Sequence, residues 1–490
     1  MSTQLRSEAL RRLTFGSVDS ESEADLDRRF VRTSDFDMFL RPNTWLALGA
    51  KGTGKSALFE LLTKYEGAAR ALAPRELDKV LITAGTGFSD LSEVATGDIA
   101  DLRTESGYDH ANLWRLYIAI RAGLALKDSP HVPDGALREL IRAVGGRRDF
   151  RIGPLLKKLW GFAIGTPPQI ANITIQGVTI DLRSGSRSLD VVSLLQDVQS
   201  TLEAENKNLW VLFDKIDELF PADRAERIRT LEGLLMASMA VRRTFPRISP
   251  KVFLRTDLWR HLNFTNKSHL SDKQIELRWN SNQIASLLLK RAVTDEAVWE
   301  VAAEREEKLL EVIGVEDLDG PAVRRALEAV LPSSAYTGPN EAYFIDWLVA
   351  RITDGQGTVL PREAIFLSNQ ARDLQQETGG AAASGPLIGR EAIREAFRET
   401  SKMRATTYLA EFPDLANHFL RFEGKTSAEF SRSEIGALMT GLDPAGDDLL
   451  REFSDIGLLR PVGGDVSTAA TFEVPRLYRV GLGLIIRGRP

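Results

Sequence analysis

Short apolar runs recur through the first 285 residues: Trp45-Leu46-Ala47-Leu48, Val80-Leu81-Ile82-Thr83, the stretch 209–213, Val252-Phe253-Leu254 and Ile275-Glu276-Leu277. Between them the apolar positions fall at helical intervals, as they do across 112–120. Apolar strands alternating with helices predict an α/β domain, a parallel sheet with helices on both faces. The segment between the second and third runs is too long for one crossover, which predicts an insertion over about 88–195 containing a hairpin near 173–182. From about residue 282 the strand signals give way to helical spacing as far as 376, and the small residues of 378–386 read as a linker. Beyond it, helices at 431–439 and 447–456 precede strands at 458–462 and 472–474 around Gly463-Gly464, the outline of a winged helix. The expected organisation is therefore an N-terminal helical segment (1–40) laid on the nucleotide domain, a P-loop domain (41–285), a helical lid (286–377) and a winged-helix domain (387–490).

A chain of 490 residues exceeds what one core usually organises, in keeping with several domains. Its 43% hydrophobic and 27% charged residues suit an ordinary soluble protein. The absence of cysteine removes disulfides and thiolate metal sites, and the five histidines lack ligand spacing, so zinc and haem are not expected. The first residues lack the apolar core of a signal peptide. The charge-free stretch 159–180 is broken by Pro167-Pro168, so no membrane span is expected and a cytoplasmic location is. A net charge of -5 argues against sequence-blind binding of nucleic acid over the whole surface.

The chemistry concentrates in Gly49-Ala50-Lys51-Gly52-Thr53-Gly54-Lys55-Ser56, a complete G-x-x-x-x-G-K-[ST] loop between the first apolar strand and a helical run. Such a loop wraps phosphate oxygens with the backbone amides of 49–57, Ala57 included. Lys55 reaches the terminal phosphates, and the Ser56 hydroxyl ligates magnesium at a helix N-terminus. Far along the chain, the strand 209–213 delivers Asp214 as a second magnesium ligand, followed by Asp217 and Glu218, either of which could polarise an attacking water. A third strand ends in Arg255-Thr256-Asp257, where Arg255 could report the terminal phosphate. Pro361 at a first helical turn places Arg362 near a helix N-terminus, from which it could swing onto the nucleotide. Arg242 and Arg243 read better as cations at a helix C-terminus than as fingers acting between subunits.

Taken together, the loop 49–56, the Asp214-x-x-Asp217-Glu218 strand end, Arg255-Thr256, the lid entered through Pro361-Arg362 and the terminal Pro475-Arg476-Leu477-Tyr478 resemble the STAND and KAP branch of AAA+-related ATPases. The resemblance implies that Asp214 coordinates magnesium, that Arg255 senses the γ-phosphate, and that lid and winged helix pack over the nucleotide as a switch. It also implies association with bacterial conflict or antiviral systems. The long insertion, Lys215 directly after the first acid and the lack of sensing repeats depart from that pattern, so a separate partner protein would supply recognition or effect.

The expected function is a magnesium-dependent ATPase that acts as a conformational switch, with ATP and Mg2+ as cofactors and a homo-oligomer or partner complex as its assembly. The alternative is a DNA-binding initiator or regulator. It is disfavoured because the candidate recognition helix 447–455 carries four acids against Arg451. A small-molecule kinase would need an acceptor pocket, conceivably in the insertion. ATP is preferred to GTP on analogy, in the absence of an Asn-Lys-x-Asp motif.

Overall fold

The computed structural model describes residues 3–85, 110–144, 172–175, 178–181, 191–216, 224–311, 315, 318–380 and 384–484. The chain divides into two compact units. One comprises Ser34–Gly49 with Lys55–Leu277; the other comprises Met1–Thr33, Ala50–Gly54 and Arg278–Pro490.

The first unit is built on β1 (Leu46–Gly49), β2 (Val80–Ala84), the hairpin strands β3 (Asn172–Ile175) and β4 (Val178–Asp181), β5 (Asn208–Phe213), β6 (Ile248–Arg255) and β7 (Gln274–Glu276). Five of these form a parallel sheet in the order β2-β5-β6-β1-β7, while β3 and β4 pair antiparallel with each other. Because side chains alternate along a strand, the register sorts them into two faces. Leu46 and Leu48 pair with Val252 and Leu254, Phe213 also pairs with Val252, and all five join one continuous core. That core is closed by Trp114 and Tyr117 of the helix His110–Ala125, Val198 of Val191–Ala204 and Leu235 of Arg224–Thr244. On the opposite face Ala47 pairs with Phe253, whose ring meets Phe39 of the helix Ser34–Leu40 at 4.8 Å and Phe59 of Lys55–Thr63 at 6.1 Å. Both faces of the inner strands are thus covered, which is why β1 and β5 read as nearly continuous apolar runs.

The helix His110–Ala125, within the expected insertion of about 88–195, packs on the sheet, as does Val191–Ala204 at and beyond its end; β3 and β4 pair as a hairpin near 173–182. One strand position breaks the apolar rule. Lys251 on β6 is fully buried, and its Nζ donates to the carbonyls of Phe39 (2.5 Å), Thr44 (2.8 Å) and Arg41 (3.3 Å) while lying 3.9 Å from the Trp210 ring centroid. It closes the C-terminal end of the helix Ser34–Leu40, where carbonyls are left over.

The second unit is helical. Ser281–Ala292 opens on a capping box at Asn280 and Gln283 and is followed by Glu296–Arg305, Gly320–Leu327, Phe344–Ile352 and Pro361–Thr378. The N-terminal helix Thr3–Arg12 belongs to this unit rather than to the sheet domain, because Ala9, Leu10, Leu13 and Phe15 fill its core. The helix Pro361–Thr378 ends at Gly379 and Gly380, both at positive φ, before the long helix Arg390–Glu411 begins. That helix serves two cores: Ile393, Ala396 and Phe397 sit with the helical layer, Ala405 and Tyr408 with the C-terminal residues. The C-terminal region runs β8 (Glu429–Ser431), helices Arg432–Leu438 and Gly446–Asp455, β9 (Arg460–Val462) and β10 (Thr471–Glu473), with a sheet order of β8-β10-β9. The two helices and last two strands fall where the pattern placed them; β8 was not expected.

Candidate functional site

The loop 49–56 leaves β1 as the last sheet residue, Gly49, and enters a helix at Lys55. Gly52 (φ 88°) and Gly54 (φ 97°) adopt left-handed backbone that side-chain-bearing residues rarely take, which explains two of the three glycines in the loop, one of them, Gly54, specified by the motif. Thr53, 1% exposed, bonds its hydroxyl to the Ala50 carbonyl at 2.8 Å and so closes the bend on itself. Lys55 Nζ donates to the Gly49 carbonyl at 2.8 Å, folding across the mouth of the bend.

In the sheet unit, two charged residues stand at the end of β6 and the start of the helix that follows it. Arg255, at the end of β6, makes a two-pronged ion pair with Asp257, at 3.1 Å from Nε and 2.8 Å from Nη2. Burial alone would raise the Asp257 pKa, but the charge and hydrogen bonds of Arg255, helped by the Lys55 charge, hold it below the ordinary value. Arg255 is therefore a tethered arginine, and reaching a phosphate would require exchanging Asp257 for it. Asp214, 4% exposed, ends β5, and Lys215 turns the chain immediately after it at φ 60°. Left-handed backbone at a lysine costs about 1 kcal/mol, a strain that fixes where the aspartate is delivered. Asp214 follows β5 and the loop leading to Ser56 follows β1, both at the C-terminal edge of the parallel sheet, where β6 separates these two strands by two strand spacings, about 10 Å. Asp217 and Glu218 lie outside the described residues. Arg242 donates to the Pro42 carbonyl at 2.7 Å and lies over the Trp45 ring, and burial lowers its pKa to about 10, so its role here is packing; Arg243 is exposed.

The middle of the loop is held by the helical unit. Trp279 Nε1 donates to the Thr53 carbonyl at 2.8 Å, and its ring covers Gly54. Arg362, the second residue of the helix Pro361–Thr378, lies against Gly52, where an added Cβ would come within 3.1 Å of the arginine's own. Glu363 beside it is 1% exposed. Burial pushes its pKa up, opposed in part by Arg404 and Arg362. Lys51 makes a 2.8 Å ion pair with Glu411.

No family model matches the chain. Over 352 residues it is 22% identical to a putative transposon gamma-delta 80.3 kDa protein of Escherichia coli K12, an alignment covering 67% of this chain and 46% of that one. The chain thus spans about half the length of this curated relative. Among solved structures, it is similar to the Aeropyrum pernix ORC2 protein in its ADPNP-ADP complexes, with a TM-score of 0.38, 14% identity, and coverage of 93% of this chain and 94% of that one. The Aeropyrum pernix ORC1 protein in complex with DNA gives a TM-score of 0.32 at 14% identity, covering 98% and 92%. Cdc6p from Pyrobaculum aerophilum gives 0.31 at 12%, covering 90% and 87%.

Trp279, Glu363, Asp257 and Glu411 were not singled out from sequence. Nothing in the apolar pattern marks Trp279 as a loop clamp, and Glu411 is one acid among many on its helix. Their partners come from 226 and 360 positions away along the chain, a separation that local patterning does not encode.

Proposed function

We propose that the chain binds ATP with Mg2+ and hydrolyses it, using nucleotide state to set the arrangement of its helical and C-terminal regions. The observation that carries this reading is the loop itself: buried strand, two left-handed glycines, then a helix whose first residues are Lys55 and Ser56. Backbone amides along such a bend and the N-terminus of the helix suit phosphate oxygens. The donor set of one hydroxyl, Ser56, and one buried carboxylate, Asp214, fits a hard oxygen-seeking cation that keeps part of its water shell across the intervening strand. Magnesium, when bound, would neutralise charge on the phosphates. Lys55 would leave the Gly49 carbonyl for the terminal phosphates, Arg255 would exchange Asp257 for the γ-phosphate, and Arg362 would meet the nucleotide from beside Gly52. Asp217 or Glu218 would orient the attacking water.

The finer reading is a switch that assembles with itself or with a partner protein. It is supported by the strand–helix–helix–strand–strand arrangement at the C-terminus, read as a winged helix, and by its link to the phosphate loop through the helix Arg390–Glu411. DNA binding is the weaker reading, because Gly446–Asp455 presents Asp447, Asp448, Glu452 and Asp455 against one arginine. Among the described residues no helix is long and apolar enough to cross a membrane. Lys55→Ala should abolish phosphate release from ATP measured with purified protein; turnover at the wild-type rate in that variant would end the ATPase reading.

A further inference from the structure

Three successive loop residues touch the helical unit in different ways. Ala50 packs against the C-terminal core that contains Leu360, Tyr408 and Tyr478. Lys51 pairs with Glu411 at 2.8 Å. Gly52 lies against Arg362, with Glu363 Oε2 3.5 Å from its would-be Cβ; among the described residues that oxygen has no hydrogen-bond partner. Behind them lies Arg404, 6% exposed, with Nη1 3.8 Å from Glu411 and Nε 3.6 Å from Glu363. Burial works against the Arg404 cation, yet Tyr478, Glu363 and Glu411 outweigh it and hold its pKa above the ordinary guanidinium value. Tyr478 belongs to the short helix Arg476–Arg479, whose Leu477 carbonyl accepts from Ser401 Oγ at 2.7 Å. Charges therefore run from the middle of the phosphate loop through Glu411 to Arg404, on a helix that also bonds, through Ser401, to the terminal Pro475-Arg476-Leu477-Tyr478.

We propose that Lys51 is a latch between the phosphate loop and the C-terminal region, held by Glu411 until the phosphates of a bound nucleotide take it. The inference rests on the ATP-binding reading. Lys51 suits the role because its side chain is 42% exposed while that of Glu411 is 9% exposed, so the ammonium can turn to a new anion and the carboxylate cannot follow it into water. Once Lys51 has gone, Glu411 is left buried with Arg404 as its cation, and the end of the helix Arg390–Glu411 loses the tie to the loop. The exchange also gives a sign. If ATP must take Lys51 from Glu411, removing the Glu411 charge should strengthen ATP binding; if the pair merely braces the loop, removing it should weaken binding.

The test measures equilibrium binding of a fluorescent ATP analogue with Mg2+ to the full-length protein and to Glu411→Gln, Lys51→Met and the double variant. Hydrogen exchange of 401–411 and 476–484 is followed in parallel. The latch predicts that Glu411→Gln tightens binding roughly threefold, what a half-exposed ion pair is worth, and that the gain vanishes when Lys51 is already methionine. It also predicts that ATP speeds exchange over 401–411 in the wild type and that Glu411→Gln exchanges faster there without ATP. Unchanged or weakened binding in Glu411→Gln, with normal binding by the wild type, overturns the latch alone. Failure of the wild type to bind, indistinguishable from Lys55→Ala, overturns the ATP reading and the latch with it.

Discussion

Lys251 shows how one polar side chain can be required by the backbone around it. An apolar residue would satisfy the period of β6, but the carbonyl of Phe39, in the last turn of the helix Ser34–Leu40, and that of buried Thr44 would then lose the ammonium donor. Burial, together with the nearby Arg242 charge, drives the Lys251 pKa well below the ordinary lysine value, while the carbonyls and the Trp210 and Phe39 ring faces favour the ammonium. Lys251→Met keeps the length of the side chain and removes the donor. It should lower the unfolding free energy by about 2–4 kcal/mol, read from urea midpoints at neutral pH. A variant as stable as the wild type would mean that the carbonyls find water or other donors.

At the scale of elements, the turn after the helix Phe344–Ile352 ties the helical layer to the C-terminal region. Asp354 accepts from the amides of Gln356 and Thr358, both at 2.9 Å, and Gly355 donates to the Gly457 carbonyl at 2.7 Å. A Cβ on Gly355 would lie 2.6 Å from the Leu459 carbonyl, so the close approach requires glycine. Burial raises the Asp354 pKa to about 6, against the two backbone amides and the Arg404 charge. A carboxyl whose folded pKa lies above its unfolded value binds its proton more readily when folded. Its stabilising share is complete below about pH 4 and is lost as pH rises through about 6. Asp354→Asn keeps both amide bonds to the side-chain oxygen and carries no charge. It should therefore be more stable than the wild type at pH 7.5 by about 1–3 kcal/mol, the gap closing towards pH 4 in urea titrations. A gap of constant size across that range would show that Asp354 titrates as it does in the unfolded chain.

The elements with one dominant signal were legible in the sequence. All five sheet strands lie within a few residues of their apolar runs, most cleanly for β1 and β5, whose residues are nearly all buried. The place of Arg362 in the first turn of its helix follows from Pro361 starting that helix, a local rule. What escaped was made of long-range pairing: β8, whose three residues carry no period of their own; Trp279, donating back to Thr53; and the allegiance of the N-terminal helix, decided by which core had room for Leu10 and Phe15.

For the molecule as a whole, the central claim is that a nucleotide and a divalent ion are held by the loop 49–56 together with a carboxylate that arrives on β5. On that claim, Lys55 and the loop amides would account for phosphate affinity, whereas Asp214 should matter only through the metal. The decisive measurement is ATP affinity as a function of Mg2+ concentration in the wild type and in Asp214→Asn. The account predicts that Mg2+ tightens ATP binding by the wild type about tenfold or more, roughly 1.4 kcal/mol, and that Asp214→Asn abolishes this gain while leaving metal-free binding unchanged. An undiminished gain from Mg2+ in Asp214→Asn would contradict it.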